Sequence, residues 1–173
     1  SGTSDNFQKF LAAASDGKWE SSGKAFPNAV GTGANGSSGV AQEVSATDGS
    51  ITYVEAGFAD KKANIDFGNG PVELTNESVA KTLDNLTFKT EGHNMVVDAD
   101  ALFATDTAGA YPLVLTTYEI VCSAGYDEAT SKMVKDFLNI ALDHQDAELE
   151  AEGFIPVTGA HAERLREAIN AIQ

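Results

Sequence analysis

The residues best suited to chemistry stand at the very start of the sequence, where Ser1, Gly2, Thr3 and Ser4 precede Phe7, Phe10, Leu11 and Ala14. Those four apolar residues follow the i, i+3, i+4, i+7 spacing of one helical stripe, so a helix is expected to run to about Ala14. The first backbone N–H groups of a helix have no partner in the preceding turn, and its dipole is positive at that end. Adding serine and threonine hydroxyls to such an end assembles the parts of an oxyanion cradle. The same residue types are also the ordinary caps of helices, with Thr3 or Ser4 as the expected N-cap, and local physics leaves both roles open.

Other chemistries find less support. A hydrolase or phosphoryl-transfer enzyme using Ser1 or Thr3 as nucleophile needs a general base within hydrogen-bond reach. The sequence names no such base and contains no Gly-x-Ser-x-Gly elbow, so no catalytic residue is assigned. His93, His144 and His161 lie far apart without a close ligand spacing, and no metal centre or cofactor is expected. The glycine-rich GTGANG at 31–36 lacks both GxGxxG and a following Lys-Ser/Thr, which argues against a nucleotide loop. The one cysteine, Cys122, cannot form an internal disulfide and follows Ile120 and Val121, which suggests a buried thiol on a strand.

The elements that must position these residues read as a mixed α/β chain. After the first helix, residues 15–39 are rich in Gly, Ser and Asn and form a long loop around Trp19, Phe26 and Pro27. Trp19 and Tyr53 read as packing residues, since each has apolar or β-branched neighbours. SSGVAQEV opens a short helix capped by Ser37 or Ser38, and ITYVEAGFA reads as a buried strand leading into a helical turn. Residues 63–74 form a hairpin about Gly68-Asn69-Gly70, and Thr75 or Asn76 caps a helix through ESVAKTLDNL. Residues 87–110 carry no decisive pattern. Tyr111 to Cys122 is the strongest strand candidate, packed under a helix from about Asp127 to Asp143 that carries Val134, Phe137, Leu138, Ala141 and Leu142 on one face. The acidic run DHQDAELEAE reads as a solvated helix face, and a last helix bears Leu165, Ala168, Ile169 and Ile172.

Composition narrows the classes of partner. Of the 173 residues 42% are hydrophobic and 21% charged, the balance of a folded globular chain. A formal net charge of -15 disfavours nucleic acid and anionic membranes, which require a basic face. It does not disfavour a small anion, because helix-end amides act over a few ångströms while distant charges are screened. No apolar run approaches the roughly 18 residues of a membrane helix, and SGTSDNF lacks the features of a signal peptide.

The order of features along the whole chain resembles the second half of the phosphate-binding proteins of the bacterial phosphate ABC importer. SGTSDNFQKFL is similar to the family's Ser-Gly-Thr segment and its helix, and GTGANGSSGVAQEV to its glycine-rich loop and following helix. GSITYVEAGFA, YPLVLTTYEIV, and VKDFLNIAL followed by GFIPV and a terminal helix resemble later family elements in the same order.

The resemblance implies a periplasmic-binding-protein-like (type II) two-lobe α/β fold, incomplete in this chain. Residues 1–110 would contribute to the second ligand-binding lobe, and residues 111–173 would supply a crossing strand and the C-terminal return to the first. Inorganic phosphate is the implied ligand, bound by the Ser1 and Thr3 hydroxyls and the amides near Gly2, with no cofactor. The implied partners are the membrane permease and the missing N-terminal half of the same protein, and the implied location is secreted, periplasmic or anchored at the cell surface as a lipoprotein. The Arg-x-Asp-Gly sequence that precedes Ser-Gly-Thr in the family has no counterpart here, so weak phosphate binding, or a ligand-free structural lobe, is expected of these 173 residues alone.

Overall fold

A computed structural model describes residues 1–27, 29 and 31–173. The described residues form seven α-helices and a minimal sheet: α1 (Gly2–Ala14), α2 (Gly36–Ala46), α3 (Asn76–Asp84), α4 (Ala99–Phe103), α5 (Glu128–Asp143), α6 (Ala147–Ala151) and α7 (Gly159–Asn170). A 3-10 turn spans Ala56–Phe58, and β1 (Ile65–Asp66) pairs antiparallel with β2 (Pro71–Val72), Ile65 opposite Val72. The chain is thus a helix-rich α/β protein. The expected hairpin is present, and its turn is chemically specified: Gly68 and Gly70 both take φ of 96°, and their amides donate to the Asp66 carboxylate.

Helix α3 is the best-buried helix because its start is fixed and its inner face is apolar. Thr75 and Ser78 exchange side-chain and backbone hydrogen bonds as a reciprocal cap, and Val79, Thr82 and Leu83 turn inward. Val79, Leu83, Leu86 and Tyr111 form a buried cluster, with Ile65, Val72, Leu113 and Ile155 packed around it. Burial also raises the Tyr111 phenol above its ordinary pKa. A second centre joins α1 to α4, where the Phe10 ring meets Phe103 edge-on at 5.8 Å and Phe103 is fully enclosed. The stretch 87–110, unpatterned in sequence, contains α4 and an isolated bridge between Phe88 and Val97.

Four strand or core expectations are corrected. Residues 111–122 form no strand, and neither does Ile51–Val54; Ile120 is 93% exposed and Ile51 85%. An extended segment becomes a strand only when a neighbour completes its ladder, and these segments have none among the described residues. Ile51, and the apolar residues Leu115, Tyr118, Ile120 and Val121 beyond the packed start of the second segment, therefore stand open. Cys122 is exposed rather than buried for the same reason. Phe137 is also corrected: α5 packs on α7 through its half-buried side while Met133, Phe137 and Ile140 face outward, Phe137 at 64% exposure.

Smaller differences concern helix starts and faces. Ser1, not Thr3 or Ser4, caps α1, and Asn35 rather than Ser37 or Ser38 stands at the cap position of α2. On α1 the fully buried residue beside Phe10 is Gln8, whose amide donates to the carbonyls of Gly23 and Ala25 and so fastens the loop, while Ala14 is exposed. The helix expected from about Asp127 begins there, with Asp127 as its cap, its carboxylate held below the usual range mainly by the Thr130 hydroxyl and amide.

Candidate oxyanion site

The site is built on the first turn of α1. Ser1 Oγ accepts from the Ser4 amide at 3.0 Å and lies 3.0 Å from Ser4 Oγ, while the Ser1 nitrogen donates to the Lys24 carbonyl at 2.6 Å. Gly2 is exposed, and a side chain placed there would meet no atom within 4 Å. Among the described residues the amides of Gly2 and Thr3 have no hydrogen-bond partner, while those of Ser4 and Asp5 are taken by Ser1, and hydroxyls border this first turn. That is an arrangement able to hold a small oxyanion by neutral donors.

The extended segment Tyr53–Glu55 forms one wall. Phe7 stacks on Tyr53 with centroids 4.3 Å apart, and Phe26 and Trp19 continue the aromatic cluster. Trp19 and Tyr53 are packing residues, as their neighbours in sequence suggested. Tyr53 also contributes a polar tip, for its Oη lies 2.7 Å from Ser4 Oγ and extends the hydroxyl chain Ser1, Ser4, Tyr53. Two residues further, the Glu55 carboxylate accepts from Thr3 Oγ1 at 3.3 Å and from the hydroxyl of Ser37 at the start of α2. Glu55 thus links the N-terminal ends of two helices.

What fixes this wall from behind is a contact between glycines. A Cβ on Gly57 would lie 2.4 Å from the Glu152 carbonyl, and one on Gly153 would lie 2.1 Å from Gly57 Cα. Only two residues without side chains allow the backbones to approach so closely, and Gly153 in addition takes φ of 86°.

Ser1, Gly2 and Thr3 therefore share one helix end, and the structure joins Ser4, Ser37, Tyr53 and Glu55 to them. Glu55 was the residue sequence reading missed. Its signal was the period-two alternation of Tyr53 and Glu55, which puts both side chains on one face of an extended segment. Among the described residues no histidine hydrogen-bonds to Ser1, Thr3 or Ser4: His161 is buried against Phe88, and His144 lies 3.7 Å from Asp146. Among the described residues, no three His, Cys, Asp or Glu side chains gather as a metal set. No helix among them is long and apolar enough to cross a membrane.

Comparison with known proteins places this chain in a family. A model described as a PBP superfamily domain matches residues 1–143. The chain is 41% identical over 179 residues to phosphate-binding protein PstS 3 of Mycobacterium tuberculosis (strain ATCC 25618 / H37Rv), covering 99% of this chain and 48% of that relative. The same shares are covered at 40% identity to phosphate-binding protein PstS 2 of that strain, and at 38% to phosphate-binding protein PstS 3 of Mycobacterium leprae (strain TN). The chain spans about half the length of the curated relatives it matches. With most of its residues inside the matched model, the chain belongs to the PBP superfamily.

Proposed function

We propose that this chain is the second half of an extracytoplasmic solute-binding protein that captures inorganic phosphate and delivers it to the permease of an ABC importer. The observation that carries the proposal is the coincidence of two things at one place. The relatives carry the name phosphate-binding protein, and Ser1, Gly2 and Thr3 form an open, hydroxyl-bordered helix end of the kind that binds such an anion. In this scheme the protein acts outside the membrane as a secreted or lipid-anchored component. It binds rather than transforms its ligand, and Ser1 Oγ serves as a helix cap.

Residues 1–110 would belong to one ligand-binding lobe, and residues 111–173 would cross to the other and return. The unpaired stretch from Leu115 to Val121 and the outward apolar residues of α5 support that division, because such residues are stable only under a cover. The upstream half would provide that cover, together with the arginine, the carboxylate that orients it, and the remaining contacts to phosphate. Calorimetric titration with phosphate and sulfate, on the 173-residue chain and on a version extended through the upstream half, tests the proposal. Tight, phosphate-selective binding is expected of the extended protein alone.

A further inference from the structure

We propose that Asn35 is a site of spontaneous deamidation, whereas the identical Asn69-Gly70 pair is protected by the fold. Asn-Gly occurs twice in the sequence, at 35–36 and at 69–70. In such a pair the glycine nitrogen loses its proton to water and attacks the asparagine Cγ. A bond forms between that nitrogen and Cγ, the side-chain nitrogen leaves as ammonia, and the backbone closes into a succinimide. Water then opens the ring at either carbonyl, giving aspartate or isoaspartate. Glycine favours the attack because no side chain crowds its nitrogen and its backbone turns freely. The step needs an N–H that no acceptor holds, an asparagine side chain free to swing back, and a backbone able to turn.

Asn35 meets these conditions. It is exposed at the start of α2, and among the described residues neither its side chain nor its backbone makes a hydrogen bond. The cap residues of the other six α-helices each accept a backbone bond from the turn that follows. The Gly36 amide is likewise without a partner among the described residues, and a side chain at Gly36 would meet no atom within 4 Å, so its nitrogen is open to approach. Asn69 differs. The Gly68 and Gly70 amides donate to Asp66 Oδ1 at 2.7 and 3.1 Å, and the paired strands β1 and β2 flank the turn. Attack there would require the Gly70 nitrogen to surrender its proton beside the carboxylate that accepts it, and a neighbouring negative charge opposes that loss. Conversion at Asn35 would alter the start of α2. Aspartate puts a negative charge where the helix dipole favours one. Isoaspartate routes the main chain through Cβ and shifts Ser37, whose hydroxyl donates to Glu55.

The test is incubation of the folded 173-residue chain in mildly alkaline buffer, with the same chain unfolded in urea beside it, followed by tryptic digestion and mass spectrometry. Lys24, Lys61, Lys62 and Lys81 put the two pairs on separate peptides. Each conversion reads as an amide exchanged for an acid, and isoaspartate separates from aspartate by chromatography. In urea both pairs should convert at similar rates, because only the local sequence acts. In the folded chain Asn35 should keep most of its unfolded rate. Asn69 should fall roughly tenfold or more below its own, the effect on the deprotonated amide of raising its pKa by about one. Asp66→Ala should raise the folded rate at Asn69 and leave that at Asn35 unchanged. Protection of Asn35 as strong as that of Asn69, or an Asn69 as quick as Asn35 in the folded chain, would overturn the proposal. An Asn69 still slow in Asp66→Ala would overturn the role given to that carboxylate.

Discussion

The hydroxyl of Thr82 donates to the carbonyl of Tyr111 at 2.8 Å, in the buried space where the Tyr111 amide in turn donates to the Ser78 carbonyl at 3.0 Å. Helix α3 thereby holds the start of the 111–122 segment without any strand partner. Removing the hydroxyl while keeping the shape leaves a buried carbonyl unpaired, at a cost of about 1–3 kcal/mol. Thr82→Val is expected to lose that much stability in urea unfolding, and Thr82→Ser to retain most of it. Equal stability of the valine variant and the wild type would show that the anchor contributes nothing.

Two phenylalanines should respond differently to truncation in the 173-residue chain. Phe103 is 1% exposed and Phe137 is 64% exposed. Phe103→Ala should cost about 3–5 kcal/mol, as for a filled core position, whereas Phe137→Ala should stay within about 0.5 kcal/mol, the range of surface changes. In the version extended through the upstream half, the cost at Phe137 should rise if that half covers α5. An unchanged small effect there would count against the cover.

The histidine on α7 gives the fold a pH dependence. Burial lowers the pKa of His161 below its ordinary value, Arg164 on its own helix lowers it further, and Asp84 on α3 opposes them. Its Nδ1 has no hydrogen-bond partner among the described residues, and its ring stacks on Phe88 at 6.3 Å. As pH falls through the ordinary histidine range near ~6.5, the unfolded chain takes up the proton first. Stability must then decline until the folded state is protonated as well. Thermal unfolding between pH 7.5 and 5, a range of about one unit on one side and more on the other of that value, should show this loss in the wild type. His161→Gln should lose less over the same range, and an identical slope in both would assign the dependence to other groups.

Affinity for phosphate should depend on residues beyond these 173. Charge-assisted hydrogen bonds to an oxyanion contribute roughly 1.5–3 kcal/mol each. The lack of two or three of them corresponds to about three to six orders of magnitude in affinity, at about 1.4 kcal/mol per tenfold. The hydroxyls and amides of Ser1 to Thr3 are therefore expected to bind phosphate no better than millimolar by themselves, as measured by calorimetry. Micromolar binding by the 173-residue chain would sink the requirement for an arginine.

Some of this was legible in the residues because its cause is local. The helix over Gly2–Ala14, the Thr75 cap of α3, the turn at Gly68 and Gly70, and the start of α5 at Asp127 all follow from side chains acting on backbone a few positions away. The placing of Ser1, Gly2 and Thr3 at a helix end belongs to the same class, since the stripe that makes the helix is local to it. The fate of Tyr111 to Cys122 was different. Its composition demands a covered, paired strand, yet pairing needs a second backbone that the sequence of the segment cannot supply, and the tertiary structure packed its start on α3 and left the whole unpaired among the described residues. Whether Phe137 or Val134 faced inward was likewise decided by which side of α5 met α7. The meeting of Thr3, Ser37 and Glu55 was also tertiary: it joins residues 18 and 52 positions apart, and local pattern has no term for a contact across so long a stretch of chain.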